Sequence, residues 1–159
     1  MPSIIKQFGF NSALKHSDDI ELLRNIVSRF QRIFNGSGYG FWEWDLANGH
    51  IEWSGGFWLR IGYNPDEIAD VDDSEKVLGF IHPEDREFAI DAMQRHFREG
   101  GTLDTTYRIR TKWGDYIWTQ VRADSERDAN GRVVMMSGVN FDITEIKKVE
   151  AALRESEAR

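Results

Sequence analysis

The chain has 159 residues, 40% of them hydrophobic and 30% charged, enough for one soluble domain with a sizeable core. A net charge of −7 argues against nucleic acid as a partner, and the absence of cysteine excludes disulfides, thiolate metal sites and cysteine nucleophiles. No apolar run approaches the ~20 residues needed to span a bilayer.

Residues 1–17 read as an N-terminal extension without a clean signal-peptide pattern. Over 18–36, apolar residues at Ile20, Leu23, Val27, Phe30 and Phe34 recur at helical spacing, with Ser17 or Asp18 as cap and "NGSG" as stop. This amphipathic helix covers a face of the domain or pairs with a second copy. "GFWEWDLANGHIEW" alternates about a turn and reads as a hairpin. Short helical pieces follow in "GGFWLRIGYNPDEI" and "DSEKVLGFI". A longer helix starts at "HPEDRE", with Pro83 in its first turn, and stops at Gly100-Gly101. Three strands, joined by turns at "KWGD" and "DANGR", complete a body over 37–143. The order predicts an α+β domain with five antiparallel strands. In the closing segment 144–159, Ile146, Val149 and Leu153 recur as in the beginning of a coiled-coil seam.

In order, "GFWEWDL", "IGYNPDEI", "IHPEDRE", "YRIRTKWGDYIW", "DANGR" and "SGVNFDITE" resemble the PAS sensor family, in its bacterial form with a C-terminal PAC segment. The resemblance covers about residues 30–150. It implies a five-stranded antiparallel sheet with helices on one face. It also implies a sensory role in a bacterial sensor histidine kinase or a diguanylate cyclase of the GGDEF type. An Asp-Ile-Thr junction, here Asp142, Ile143 and Thr144, then passes the signal from the last strand to an output helix. Asp142 and Glu145 have capping-box spacing, so Asp142 can cap the helix, with Thr144 as the other candidate cap. The family's Tyr-Arg-Trp strand motif reads Tyr116-Ile117-Trp118, so the arginine that can pair with the junction aspartate in relatives is absent from that place.

The phase of "GVNFD" follows flavin-binding relatives, in which a glutamine at the place of Asn140 points into the cavity. Alternation then turns Tyr107, Ile109, Ile117, Thr119, Val121, Met136 and Asn140 toward an inner pocket. Phe88, Ala89, Met93 and Phe97 of the long helix close its other wall. Trp118, Met135, Val139 and Phe141 turn outward. With Leu23, Val27, Phe30 and Phe34 they form a face for a cover or a homodimer. The pocket is apolar with a few polar points, as in a small-molecule site or an ordinary core.

Among cofactors, the missing cysteine speaks against flavin photochemistry, and the lack of a histidine at Ala89 or Ile90, where haem-binding relatives carry the axial ligand, speaks against haem. The expectation is therefore no haem, no flavin and no metal, with room for an unknown small ligand. No Ser-His-Asp set or placed carboxylate pair is present, so the domain itself is expected not to be an enzyme, although a parent protein can carry a kinase or cyclase. The setting expected is cytoplasmic, with an effector in the same chain. The alternative is a ligand-free dimerisation module.

Overall fold

A computed structural model describes residues 16–159. Helix α1 runs His16–Ser37, so Ser17 and Asp18 lie inside it rather than capping it. The expected extension falls almost wholly outside the described residues. The chain divides into two units, Met1–Ile33 and Phe34–Arg159, each described by itself. In the first, Ile20, Leu23, Val27 and Phe30 fall along one stripe of α1. The side chain of Phe34 lies outside the described residues.

The second unit follows the order anticipated from the pattern. Strands β1 (Gly40–Asp45) and β2 (His50–Gly55) form the first hairpin. Helices α2 (Phe57–Arg60), α3 (Pro65–Ile68), α4 (Ser74–Phe80) and α5 (Pro83–Glu99) cross over to β3 (Leu103–Arg110), β4 (Tyr116–Arg127) and β5 (Val133–Asp142). Helix α6 (Thr144–Glu157) leaves the end of β5. The five strands are antiparallel in the order β2-β1-β5-β4-β3, so β5 lies at the centre.

Local chemistry explains the boundaries. Asp45 accepts the Asn48 N–H in the first turn, and Asp128 accepts those of Asn130 and Arg132 in the last. Asp73 caps α4 by accepting the Lys76 N–H. His82 Nδ1 accepts the Glu84 N–H at the start of α5, and Gly100 stops that helix at φ 74°. The core joins the inner sheet face to α2, α4 and α5 through Phe57, Trp58, Ile61, Ile81 and Ala89. An edge-on aromatic group of Trp53, Trp58, Tyr63 and Phe80 fills one end. Among the described residues no helix is long and apolar enough to cross a membrane.

A cavity and a junction on one strand as the candidate functional site

Between the inner sheet face and α4–α5 lies a cavity of about 330 Å³. Trp42, Trp44, Ile51 and Trp53 of the first hairpin form one wall. Val77, Leu78, Ala89 and Met93 of α4 and α5 form the opposite one. The floor carries Leu103, Thr105 and Tyr107 of β3, Val121 of β4 and Asn140 of β5. Ser74, Ile90 and Gln94 also line it and are exposed, so the cavity opens between α4 and α5.

Trp42 organises this floor. It faces Gly138 across the β1–β5 pairing, where a Cβ would stand 2.4 Å from the indole. Only glycine lets the ring lie there without displacing it. The indole Nε1 donates to Asn140 Oδ1 at 3.0 Å, which turns the Asn140 amino group away from the indole. Trp53 Nε1 donates to the Val71 carbonyl at 2.8 Å. The Thr105 hydroxyl is buried without a partner among the described residues. Burial pushes the Tyr107 phenol well above its ordinary range, so it stays neutral.

The inward set predicted from alternation separates here. Tyr107, Val121, Asn140 and Met93 line the cavity; Ile109, Ile117, Thr119, Met136 and Phe97 do not. Thr119 is fully buried, but its hydroxyl donates to the Phe141 carbonyl at 3.1 Å. Ile109 pairs with half-buried Ile117 on β4 and bridges to Ile81, whose own side chain lines the cavity in its place. Met136 is enclosed within the sheet opposite Trp44 and Ser125. Phe97 packs on Trp44 at 6.1 Å between ring centres. Phe88, expected in the wall, points outward at 59% exposure. Among the described residues no histidine lines the cavity; His96 is buried elsewhere, with Nε2 against the Ser125 hydroxyl.

Two residues beyond Asn140, β5 ends in a polar junction. Asp142 Oδ1 accepts both the Thr144 N–H at 3.0 Å and the Thr144 hydroxyl at 2.6 Å. The capping box expected between Asp142 and Glu145 does not form. The N-cap is Ile143, and Asp142 stands one residue too early to reach the Glu145 amide. Thr144 Oγ1 also accepts the Trp118 N–H at 3.1 Å, while the Ile143 N–H donates to the Trp118 carbonyl at 2.9 Å. The start of α6 is thus tied to β4 through both backbone groups of Trp118.

The arginine missing from the strand motif has a substitute that sequence reasoning overlooked. Arg60 Nε, at the end of α2, donates to Asp142 Oδ2 at 3.0 Å. Nothing local in "FWLRIGY" marks this contact, because its partner lies 82 positions away. Trp118, read as part of an outward cover face, is half-buried beside two cations. Arg108 Cζ lies 5.4 Å and Lys147 Nζ 5.5 Å from its ring centre. Arg108 also donates to both carboxylate oxygens of Asp85, which holds that carboxyl below its usual range. Met135, Val139 and Phe141 are half-buried as well, Phe141 against the edge of Tyr39.

A five-stranded antiparallel sheet in this order, with a cavity under the helices and a strand-to-helix junction, defines a small α+β module. The PAS fold family matches residues 50–140, more than half of the chain, and the chain belongs to that family. It is a sensory signal-transduction domain. It is 33% identical to the sensor protein FixL of Bradyrhizobium diazoefficiens over 128 residues, which are 80% of this chain and 25% of that protein. It is 31% identical to a blue-light-activated histidine kinase of Brucella anthropi, across 77% of this chain and 24% of the relative. The chain therefore spans about a quarter of these relatives' length. A sensory box histidine kinase/response regulator from Burkholderia thailandensis superposes with a TM-score of 0.69 at 34% identity, covering 82% of this chain and 95% of that one.

These relatives correct the reading of cofactors. The expectation against haem is overturned by the similarity to FixL, and that against flavin by the similarity to the blue-light-activated kinase. What the cavity lining supplies is aromatic walls and hydroxyl and amide groups; the chain offers no thiol for a covalent adduct.

Proposed function

We propose that this chain is the input domain of a longer bacterial signalling protein, with a histidine kinase or a diguanylate cyclase as its output. A small ligand in the cavity shifts β5 and the helices above it, and the junction at Asp142–Thr144 relays the shift to α6. The observation that carries this reading is that Asn140 in the cavity and Asp142 at the junction sit on one face of one strand, two residues apart. Residues 37–143 form the sensing body and 144–159 the start of a connector to the effector. The domain itself performs no catalysis, and it works in the cytoplasm as a homodimer.

The exposed stripe of Ile146, Val149 and Leu153 on α6 supports pairing of two copies along that helix. Native mass spectrometry of gently purified protein tests the reading, with a retained small molecule on a dimer as the expected result. Hydrogen exchange at the Lys147 amide, which donates to the Ile143 carbonyl in the first turn of α6, should slow when the cavity is filled. Exchange indifferent to a bound ligand would separate the cavity from the output.

A further inference from the structure

Helix α5 forms a wall of the cavity through Ala89, Ile90, Met93 and Gln94, and its first turn grips the edge strand β3. Asp85 accepts three hydrogen bonds from Arg108: the backbone N–H at 2.9 Å, Nε at 2.8 Å and Nη2 at 2.7 Å. Arg108 Nη2 also donates to Glu84 at 3.1 Å. The backbone bond fixes the strand against the helix, and the side-chain bonds aim the guanidinium. The side chains of Asp85 and Arg108 are 16% and 26% exposed, so salt screens this pair less than one in open water.

Arg108 and Trp118 are cross-strand partners on β3 and β4, with Arg108 Cζ 5.4 Å from the ring centre. Lys147, in the first turn of α6, brings Nζ to 5.5 Å from the centre of the same ring. An indole face attracts a cation more strongly than other aromatic side chains do. Two cations beside one ring repel each other, and each is offset by an acid of its own. Asp85 and Glu84 serve Arg108, and Glu150 serves Lys147 at 3.2 Å. The Trp118 backbone is bonded to Ile143 and Thr144, so its ring and its backbone hold the same turn of α6. These side chains connect α5 to α6 without passing through Asn140 or Asp142.

We infer that Trp118 is a second coupling point between the cavity and the output helix. Arg108, steered by Asp85, shares the indole with Lys147, so a shift of α5 alters the seat of α6 independently of β5. This inference rests on the sensory reading above and adds a helix-borne route to the strand-borne one. Asp85, Arg108, Trp118 and Lys147 act in it as positioning residues, and none of them lines the cavity.

Hydrogen exchange of the whole chain tests the route in four proteins: native, Asp85→Asn, Trp118→Leu and the two combined. The Ala123 amide, in the middle of β4, serves as the standard for changes in global stability. Relative to it, Asp85→Asn should make the Lys147 amide exchange about threefold faster, the worth of a cation–π contact near the surface. Trp118→Leu should do the same or more, and Asp85→Asn should add nothing once the indole is gone. Effects that multiply in the combined variant, or no effect of Asp85→Asn at Lys147, would overturn the route. A second measurement covers the case in which a sheet variant does not fold. In protein labelled with 5-fluorotryptophan, Lys147→Met keeps the aliphatic stem of an exposed helix residue and removes only its charge. It should move the fluorine resonance of Trp118, assigned by its loss in Trp118→Phe, and a resonance left in place would overturn the route as well. Thr144→Val separates this result from the fate of the sensory reading. If it speeds exchange at Lys147 while Asp85→Asn does not, the helix-borne route falls and the strand-borne junction stands; if neither does, both fall.

Discussion

Asn140 and Asp142 share a face of β5, yet their surroundings differ in kind. Asn140 is 2% exposed among indoles and aliphatic side chains, and among the described residues its side chain makes one hydrogen bond, from Trp42. Asp142 collects the Arg60 guanidinium and the amide and hydroxyl of Thr144. The cavity is shaped by packing, where a methyl group out of place is felt. The junction is shaped by directional bonds at a half-wet strand end, where each contact is individually weaker and more easily exchanged. A sensor has use for both: a stiff floor that reports occupancy, and an end that can be re-set. Substitutions at the two places should differ accordingly in size.

The largest loss is expected at Gly138. Gly138→Val drives a side chain into the Trp42 indole, and overpacking of this sort costs roughly 1–3 kcal/mol or more. Urea unfolding followed by tryptophan fluorescence checks it; a midpoint equal to the native protein's would mean that Trp42 does not lie over β5. Next comes Asn140→Leu, which strands a buried indole N–H at a cost of about 1–3 kcal/mol. Adding Trp42→Phe removes the orphaned donor, so the double variant should recover part of that loss. A double variant whose losses simply add would show that the bond contributes nothing.

How far these two places were legible in the sequence follows from their physics. Strand alternation is a local signal of period two, so the inward placing of Val121, Met136 and Asn140 could be read once one residue set the phase. Reaching the void is not a local property. Met136 and Ile109 are fully buried without lining the void, and Thr119 spends its hydroxyl on the Phe141 carbonyl. Helical spacing put Met93 and Phe97 on one face of α5, but Trp44 takes up Phe97. At the junction, the Asp-Ile-Thr motif located the break, whereas the cap depended on one residue of helix phase. Arg60 carried no signal at all, since pairing across 82 positions leaves no trace in a single sequence.

Moving to the junction, Thr144→Val removes a hydroxyl that donates to Asp142 and accepts from the Trp118 N–H. A loss of about 0.5–1.5 kcal/mol is expected, concentrated at the start of α6. Hydrogen exchange should accelerate at Trp118 and remain unchanged at Val121. Acceleration spread evenly over β4 would mean that the hydroxyl serves the whole sheet.

The Asp85–Arg108 pair gives the pH dependence its sign. Hydrogen bonding from Arg108 lowers the folded-state pKa of Asp85, so its contribution is complete above the unfolded value of ~3.9. That contribution fades as pH falls through the lower folded-state value. Asp45, Glu67 and Asp72 are lowered too, so the native protein alone does not isolate the effect. Urea midpoints of native protein and Asp85→Asn should differ at pH 7 and converge toward pH 2. A difference that persists unchanged at pH 2 would assign the loss to shape rather than charge.

The smallest change in stability should come from Arg60→Ala. The Arg60 side chain is 53% exposed and that of Asp142 14%, so the pair has one partner in water and contributes up to ~1 kcal/mol. Added salt should shrink that margin further, because it screens a pair of this exposure. The informative readout is therefore local. Without Arg60, Asp142 keeps only its bonds to Thr144, and α2 loses its side-chain tie to the end of β5. The Lys147 amide, in the first turn of α6, should exchange a few-fold faster, while the Ala123 amide in the middle of β4 should not change. Arg60→Lys keeps the charge but not the planar guanidinium, and should restore only part of the protection. If Arg60→Ala leaves Lys147 exchange at its native rate in low salt, the clasp between α2 and Asp142 has no hold on the output helix. The link from cavity to α6 would then run through Thr144 and Trp118 alone.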